Sequence, residues 1–232
     1  MIRILLLVCF MVSPWHVAIA QDETKPPESL AEKASYVMGR DVVKDFEDRL
    51  VEFDVEQLIA GIRAAAAGKP SVLSDEDIAS VMATFGREVE KRQQQKFQEL
   101  ADKNMREGVA FMKENSLKES VKQLENGLQY EVLAAGDGVS PKITDRVKAH
   151  FIGKSLAGKI FESTAEEKVP PTIAVGAIGI RGVAEAMLRM KPGSKWSLVV
   201  PPELAYGVDG AMPEIEPNQT LIFEVELLEI VK

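Results

Sequence analysis

The residues that ordinarily carry enzyme chemistry are scarce in this 232-residue chain, which has two histidines, His16 and His150, and one cysteine, Cys9. Cys9 and His16 both fall within Met1–Ala20, a segment with a basic Arg3, an apolar run Ile4–Val12 and an Ala18-Ile19-Ala20 end. That order describes a secretory signal peptide cut before Gln21. The working chain then keeps His150 and no cysteine, which excludes Cys/His catalysis, the usual zinc sites and disulfides. There is no Gly-x-Ser-x-Gly elbow and no phosphate-binding loop. The glycine-rich stretch Gly176–Gly182 (GAIGIRG) lacks both the spacing and the strand–helix context of a dinucleotide site. Carboxylates are abundant, but their spacing marks exposed faces, so no metal and no cofactor is expected. What remains is a set of apolar and aromatic residues framed by turns. Any catalysis by such residues must come from pocket shape and desolvation, without a covalent step.

The elements that must position them divide the chain in two. Residues 21–28 form a polar leader containing Pro26-Pro27, expected to be disordered. Leu30, Ala34, Val37, Met38, Val42 and Phe46 then recur at helical spacing after a Ser29/Glu32 capping box. Val55, Leu58, Ile59, Ile62 and Ala65 mark a second helix, ended by Gly68 and Pro70. A third starts after Ser74 and has no proline before about Asn115. Its polar second half predicts a solvent-bridging rod, about 60 Å long if continuous. A break near Gly108 into two helices is the alternative. After Asn126-Gly127 the pattern changes to alternation: Val147, Ala149 and Phe151; Trp196, Leu198 and Val200; Leu221, Phe223, Val225 and Leu227. These are half-buried strands, with one short helix at Val183–Arg189 between them.

Residues 29–74 cannot enclose a core alone. Self-association through Met38, Val42 and Met82 is the simplest remedy, and packing within one chain the alternative. The expected organisation is therefore a signal peptide at 1–20, the leader, a helical dimerisation module at 29–74, a connecting helix at 75–115, a linker at 116–126 and a β-rich domain at 127–232. The composition is globular, with 46% hydrophobic and 28% charged residues. The formal net charge is −8, and removing Arg3 with the signal takes it to −9. So acidic a chain is a poor partner for nucleic acid. No stretch is long and apolar enough to span a membrane once the signal is removed.

Five separated segments carry a resemblance: Gly127-Leu-Gln-Tyr130, Gly158–Ser163, Ile180-Arg-Gly182, Leu204-Ala-Tyr206-Gly207 and Thr220–Leu227. In order and spacing they resemble the FK506-binding-protein type of peptidyl-prolyl isomerase. With the helical part included, residues 28–232 resemble its dimeric macrophage-infectivity-potentiator group. The resemblance implies an α+β fold: an all-α dimerisation module and long connecting helix, then an antiparallel half-barrel of about five strands wrapped over one short helix. It also implies a proline-binding pocket. Phe161 and Phe223 would be aromatic walls, Ile180 an apolar wall with a backbone N–H, and Tyr206 a hydroxyl donor to a substrate carbonyl. Glu162 stands where the family usually has Asp, Phe151 where it has Tyr, and Val183 where it has Trp. Ala211 replaces a larger residue common in some members, and Ile215 is expected beside it on the substrate side.

Two functions follow. The first is an isomerase assisting the folding of exported proteins, acting on unfolded or proline-containing polypeptides in the periplasm or at the outer surface. The second is a dimeric holdase chaperone with little isomerase activity, its pocket altered at Phe151, Glu162 and Val183.

Overall fold

A computed structural model describes residues 25–167 and 169–231. The signal segment at 1–20 lies outside the described residues, as does the leader before Lys25. The chain forms two compact units that meet in sequence between Pro70 and Ser71.

In the first unit, helix α1 (Leu30–Asp48) opens on the expected capping box. Ser29 Oγ accepts from the Glu32 N–H at 3.2 Å, and Glu32 Oε2 accepts from the Ser29 N–H at 3.0 Å. Helix α2 (Val55–Ala66) is capped by Asp54, whose Oδ1 accepts from the N–H groups of Glu56 and Gln57. Phe46 and Phe53 meet edge to face at 4.9 Å. Neither helix buries a residue: Leu30, Tyr36, Met38 and Ile62 are all more than half exposed. Most of the apolar stripe of each helix is thus left exposed within the unit, the Phe46–Phe53 contact apart.

The second unit begins with α3 (Asp75–Asn115), capped by Ser74 through the Asp77 N–H. It is one continuous helix of 41 residues, so neither Gly86 nor Gly108 breaks it. Its end differs from the polar rod expected. Ala101, Asn104, Gly108 and Asn115 are buried, at spacings that put them on one face. The Asn115 side-chain amide donates to Gln129 Oε1 at 2.9 Å, and Gln129 Nε2 donates back to the Met112 carbonyl at 2.8 Å. Apolar periodicity gave no sign of this face because small residues and buried amides make it, not large hydrophobes.

Seven antiparallel strands follow: β1 (Val121–Gln123), β2 (Gln129–Ala134), β3 (Arg146–Ser155), β4 (Ile160–Ser163), β5 (Thr172–Ala174), β6 (Ser194–Val200) and β7 (Leu221–Val231). The sheet order is β1-β2-β6-β7-β3-β4, with β5 paired to β3. About five strands were expected. The additional ones are the three-residue β1 and β5, too short to show alternation. β1 lies in the stretch 116–126 expected as a linker and pairs with β2 across a turn at Gly127, whose φ is +90°. The long strands match the alternation: Val147, Ala149 and Phe151 of β3, Trp196, Leu198 and Val200 of β6, and Leu221, Phe223, Val225 and Leu227 of β7 are all buried. Register shifts at Lys148/Ala149 and Gly153/Lys154 bend β3. On the buried face lies the short helix α4 (Arg181–Met187), two residues earlier than expected. It buries Val183, Ala186 and Met187, and each larger side chain contributes about 1.5–3 kcal/mol.

The two interior glycines of α3 predict opposite outcomes. Around Gly86 there is open space, whereas a methyl at Gly108 would overlap the buried Thr220 hydroxyl. Gly86→Ala should stabilise the chain by about 0.5–1 kcal/mol through helix propensity. Gly108→Ala should lower the thermal midpoint despite the same propensity gain. Equal midpoint shifts would show that α3 does not pack there.

Candidate functional site

The uncovered part of the face on which α4 lies forms a cavity of about 310 Å³. Phe151 comes from β3, Phe223 from β7, Ile173 from β5 and Val183 from α4. Glu162 enters from β4, Tyr206 from the loop after β6, and Ala177, Ile178, Gly179 and Ile180 from the approach to α4. Val183 and Phe223 are 1% and 2% exposed, so the inner wall is apolar and sealed from behind. Glu162 is the one acidic side chain in the lining. Among the described residues no three His, Cys, Asp or Glu side chains group as metal ligands.

Local hydrogen bonding holds the β3 backbone that carries Phe151. The Phe151 N–H donates to Thr164 Oγ1 at 2.9 Å, and the Thr164 N–H donates to the Phe151 carbonyl at 2.9 Å. His150 Nδ1 donates to the Thr164 carbonyl at 2.9 Å. His150 is thereby engaged in holding the end of β4 against β3. Phe161 is not part of the lining. It backs the cavity by meeting Phe223 edge to face at 5.7 Å. That contact requires Gly153, where a Cβ would come within 2.6 Å of the Phe161 ring and 2.9 Å of the Phe223 ring. Ile180 precedes α4 in an extended conformation, and its carbonyl accepts from the Ala184 N–H at 3.0 Å. Its own N–H has no acceptor among the described residues. Tyr206 follows a 3-10 turn at Pro202–Leu204 and is partly buried. Burial above all, and secondarily the negative charge of Glu162, pushes its phenol above the ordinary tyrosine value of 10.0.

Phe151, Glu162, Ile180, Val183, Tyr206 and Phe223 are therefore brought together by the structure. Ala211 and Ile215 are not in the lining. They pair with each other as an isolated antiparallel bridge, with Ile215 in the core at 3% exposure and Ala211 exposed. Met38, Val42 and Met82, on α1 and α3, are not in the lining and are exposed at 67%, 40% and 60%. Ile173, Ala177, Ile178, Gly179 and the clamp Thr164 are additions. The glycine-rich run at 176–182 was the available signal for three of them, once its phosphate-binding reading is set aside.

The chain is 37% identical over 204 residues to the "FKBP-type 22 kDa peptidyl-prolyl cis-trans isomerase" of Escherichia coli (strain K12), covering 88% of this chain and 97% of that protein. This chain belongs to the FKBP-type peptidyl-prolyl isomerase family. Residues 138–228 match the family profile described as FKBP-type peptidyl-prolyl cis-trans isomerase. Residues 31–132 match the one described as the domain amino terminal to it. The chain is also 35% identical over 207 residues to the "Peptidyl-prolyl cis-trans isomerase Mip" of Coxiella burnetii, covering 89% of this chain and 90% of that one. Among solved structures, FkpA from Escherichia coli aligns with a TM-score of 0.70 at 33% identity, covering 88% of this chain and 98% of that chain. Phe151, Glu162 and Val183, the positions expected from the resemblance to differ from the family pattern, all line this cavity.

The raised value of Tyr206 fixes a pH dependence. Folding favours its neutral phenol fully below pH 10, and that contribution is lost as pH rises through the folded-state value. The tyrosinate absorbance difference between the wild type and Tyr206→Phe should titrate above pH 10. Glu162→Gln should lower it only slightly, because burial is the larger cause. Titration at or below the ordinary tyrosine value would place the phenol in open solvent.

Proposed function

We propose that this chain is a peptidyl-prolyl cis-trans isomerase that acts on unfolded, proline-containing polypeptides. The observation that carries the reading is an apolar cavity, sealed by Phe151, Val183 and Phe223, with one phenol and one N–H lacking an acceptor at Tyr206 and Ile180. Rotation about an X-Pro bond meets a barrier of about 18–20 kcal/mol because the amide is conjugated. Twisting the bond breaks the conjugation and reduces its charge separation. An apolar, water-excluding wall therefore stabilises the twisted state over either planar one, while Tyr206 and Ile180 hold the flanking carbonyls. This is differential binding of the transition state and needs no nucleophile. Phe161 stiffens the Phe223 wall, and Glu162 biases the polarity of the rim.

The substrates are exported proteins, on this reading, and the chain is a homodimer. The signal-like Met1–Ala20 supports export, as does a 32% identical relative named "Outer membrane protein MIP" in Legionella longbeachae. No helix among the described residues is long and apolar enough to cross a membrane. The exposed stripes of α1 and α2 support self-association, with Met38, Val42 and Met82 at the interface. Pairing two sites on one assembly raises the effective concentration of a client's second proline. A holdase without isomerase activity has no observation of its own in its favour, since the substituted positions still enclose a cavity.

Full-length mature protein should accelerate cis–trans exchange of short Xaa-Pro peptides above the uncatalysed rate. Tyr206→Phe should lower kcat/KM about three- to tenfold, as expected for one lost hydrogen bond. Val183→Trp should raise turnover or inhibitor affinity by flattening the inner wall. Exchange at the uncatalysed rate would overturn the isomerase reading. Separately, Met38→Glu combined with Val42→Glu should give a monomer by light scattering. A variant that remains dimeric would move the interface off α1.

A further inference from the structure

Asn104 is a buried amide on α3, 6% exposed, and its contacts lead to the loop that carries Tyr206. Its Nδ2 donates at 3.0 Å to Glu216 Oε2 and at 3.0 Å to the Pro217 carbonyl. One residue on, the Asn218 N–H donates to the Gly207 carbonyl at 3.0 Å, and the Gly207 N–H donates to the Pro202 carbonyl at 2.8 Å. Both Gly207 and Asn218 have positive φ, +66° and +54°, so the chain reverses sharply at each end of the loop. The loop is closed again near its tip by the Ala211–Ile215 bridge. Tyr206 therefore stands at the mouth of a clipped loop, and the clip is tied to α3 by Asn104. The Asn104–Glu216 contact borders a polar cavity of about 260 Å³ between loop and helix, lined also by Lys103, Glu107 and Glu214.

We propose that Asn104 is a positioning residue for Tyr206: by fastening Glu216 and Pro217 to α3, it holds the Gly207–Asn218 clip and with it the phenol over the cavity. The proposal rests on the isomerase reading of that cavity. No side-chain hydrogen bond fixes the Tyr206 hydroxyl among the described residues, so its place depends on the backbone that carries it. Ordering that backbone carries an entropic cost, which the clip and its anchor offset for the residues flanking Tyr206. Without Asn104, the Pro217 carbonyl loses a buried donor and the loop is free to shift. A displacement on the order of 1 Å at a positioned group is enough to cost catalysis heavily. The helix thus supports the active site as well as linking it in sequence to α1 and α2.

The test uses the full chain and compares Asn104→Ala, Asn104→Gln, Tyr206→Phe, the Asn104→Ala/Tyr206→Phe double variant and Asn115→Ala. Asn104→Ala should lower kcat/KM about three- to tenfold and move the Tyr206 titration down toward the ordinary tyrosine value. It should cost nothing further in the Tyr206→Phe background. Asn104→Gln, which keeps the amide, should recover part of both readouts. Asn115→Ala loosens α3 at Gln129, away from the loop, and should leave both unchanged. Equal losses from Asn104→Ala with and without the Tyr206 hydroxyl would overturn the proposal, as would the same losses from Asn115→Ala. An unmoved Tyr206 titration in Asn104→Ala overturns it whatever the activity. A wild type that fails to turn over peptides removes the isomerase reading instead, and the titration still decides the role of Asn104.

Discussion

A seven-residue helix cannot cover a sheet whose longest strand has eleven residues. Helix α4 spans about 10 Å, whereas β7 runs about 37 Å and presents Leu221, Phe223, Val225 and Leu227 on one buried face. The apolar surface that α4 leaves uncovered must be closed by connecting segments. Residues 173–180 close one side and the loop after β6 closes another. Loops cannot fill a gap as tightly as a helix packed ridge into groove, and backbone groups at their tips remain free to hydrogen-bond something else. A cavity with an apolar wall and a few polar groups at its rim is the geometric remainder of that mismatch. The site is where it is because the covering helix stops.

The same mismatch explains what the sequence made legible. Period-2 alternation is strong wherever a strand has one wet and one dry face, and β3, β6 and β7 show it over seven to eleven residues. Capping chemistry is equally local, and Ser29, Asp54 and Ser74 each mark a real helix start. The face of α3 against the sheet domain was hidden because Gly108 and two asparagines make it. In a sequence such residues look like ordinary members of a polar helix. Their importance lies in the absence of a Cβ at Gly108 and in the partners of Asn104 and Asn115, which only the fold supplies. The strands β1 and β5 were invisible for a simpler reason: three residues cannot establish a period.

The cavity divides along similar lines. Its aromatic and apolar members, Phe151, Val183 and Phe223, are residues that would also serve as plain core, and the matching segments alone separated the two roles. Ile173 and Ile178 line the cavity yet carry no distinguishing chemistry, so no pattern marks them. Gly153 shows the opposite case: a residue with no side chain permits the Phe161–Phe223 contact, and it announces itself only through the rings that would collide with anything larger. Ile215 illustrates how position in a matching loop can mislead. It belongs to the core beneath that loop, while its bridge to Ala211 shapes the loop's tip.

The three positions expected from the resemblance to depart from the family pattern would act on the cavity in one direction. At Phe151 a side-chain hydroxyl is absent, and the residue is held by its backbone through the hydroxyl and N–H of Thr164. No buried polar atom is left without a partner by that change, so the inner wall becomes more apolar at little cost. At Val183 the wall is smaller, and at 1% exposure it is still sealed, so the change gives room without admitting water from behind. At Glu162 the carboxylate stands one methylene further along its stem than Asp would, and its charge is felt at the Tyr206 phenol. The polar side chains of the lining are then Glu162 and Tyr206, and the charge of the first acts on the phenol of the second. On the mechanism proposed above, a catalyst that works by desolvation gains from a drier wall and depends more heavily on the few polar groups that remain. That dependence places the burden of orientation on Tyr206 and on the loop and helix that hold it.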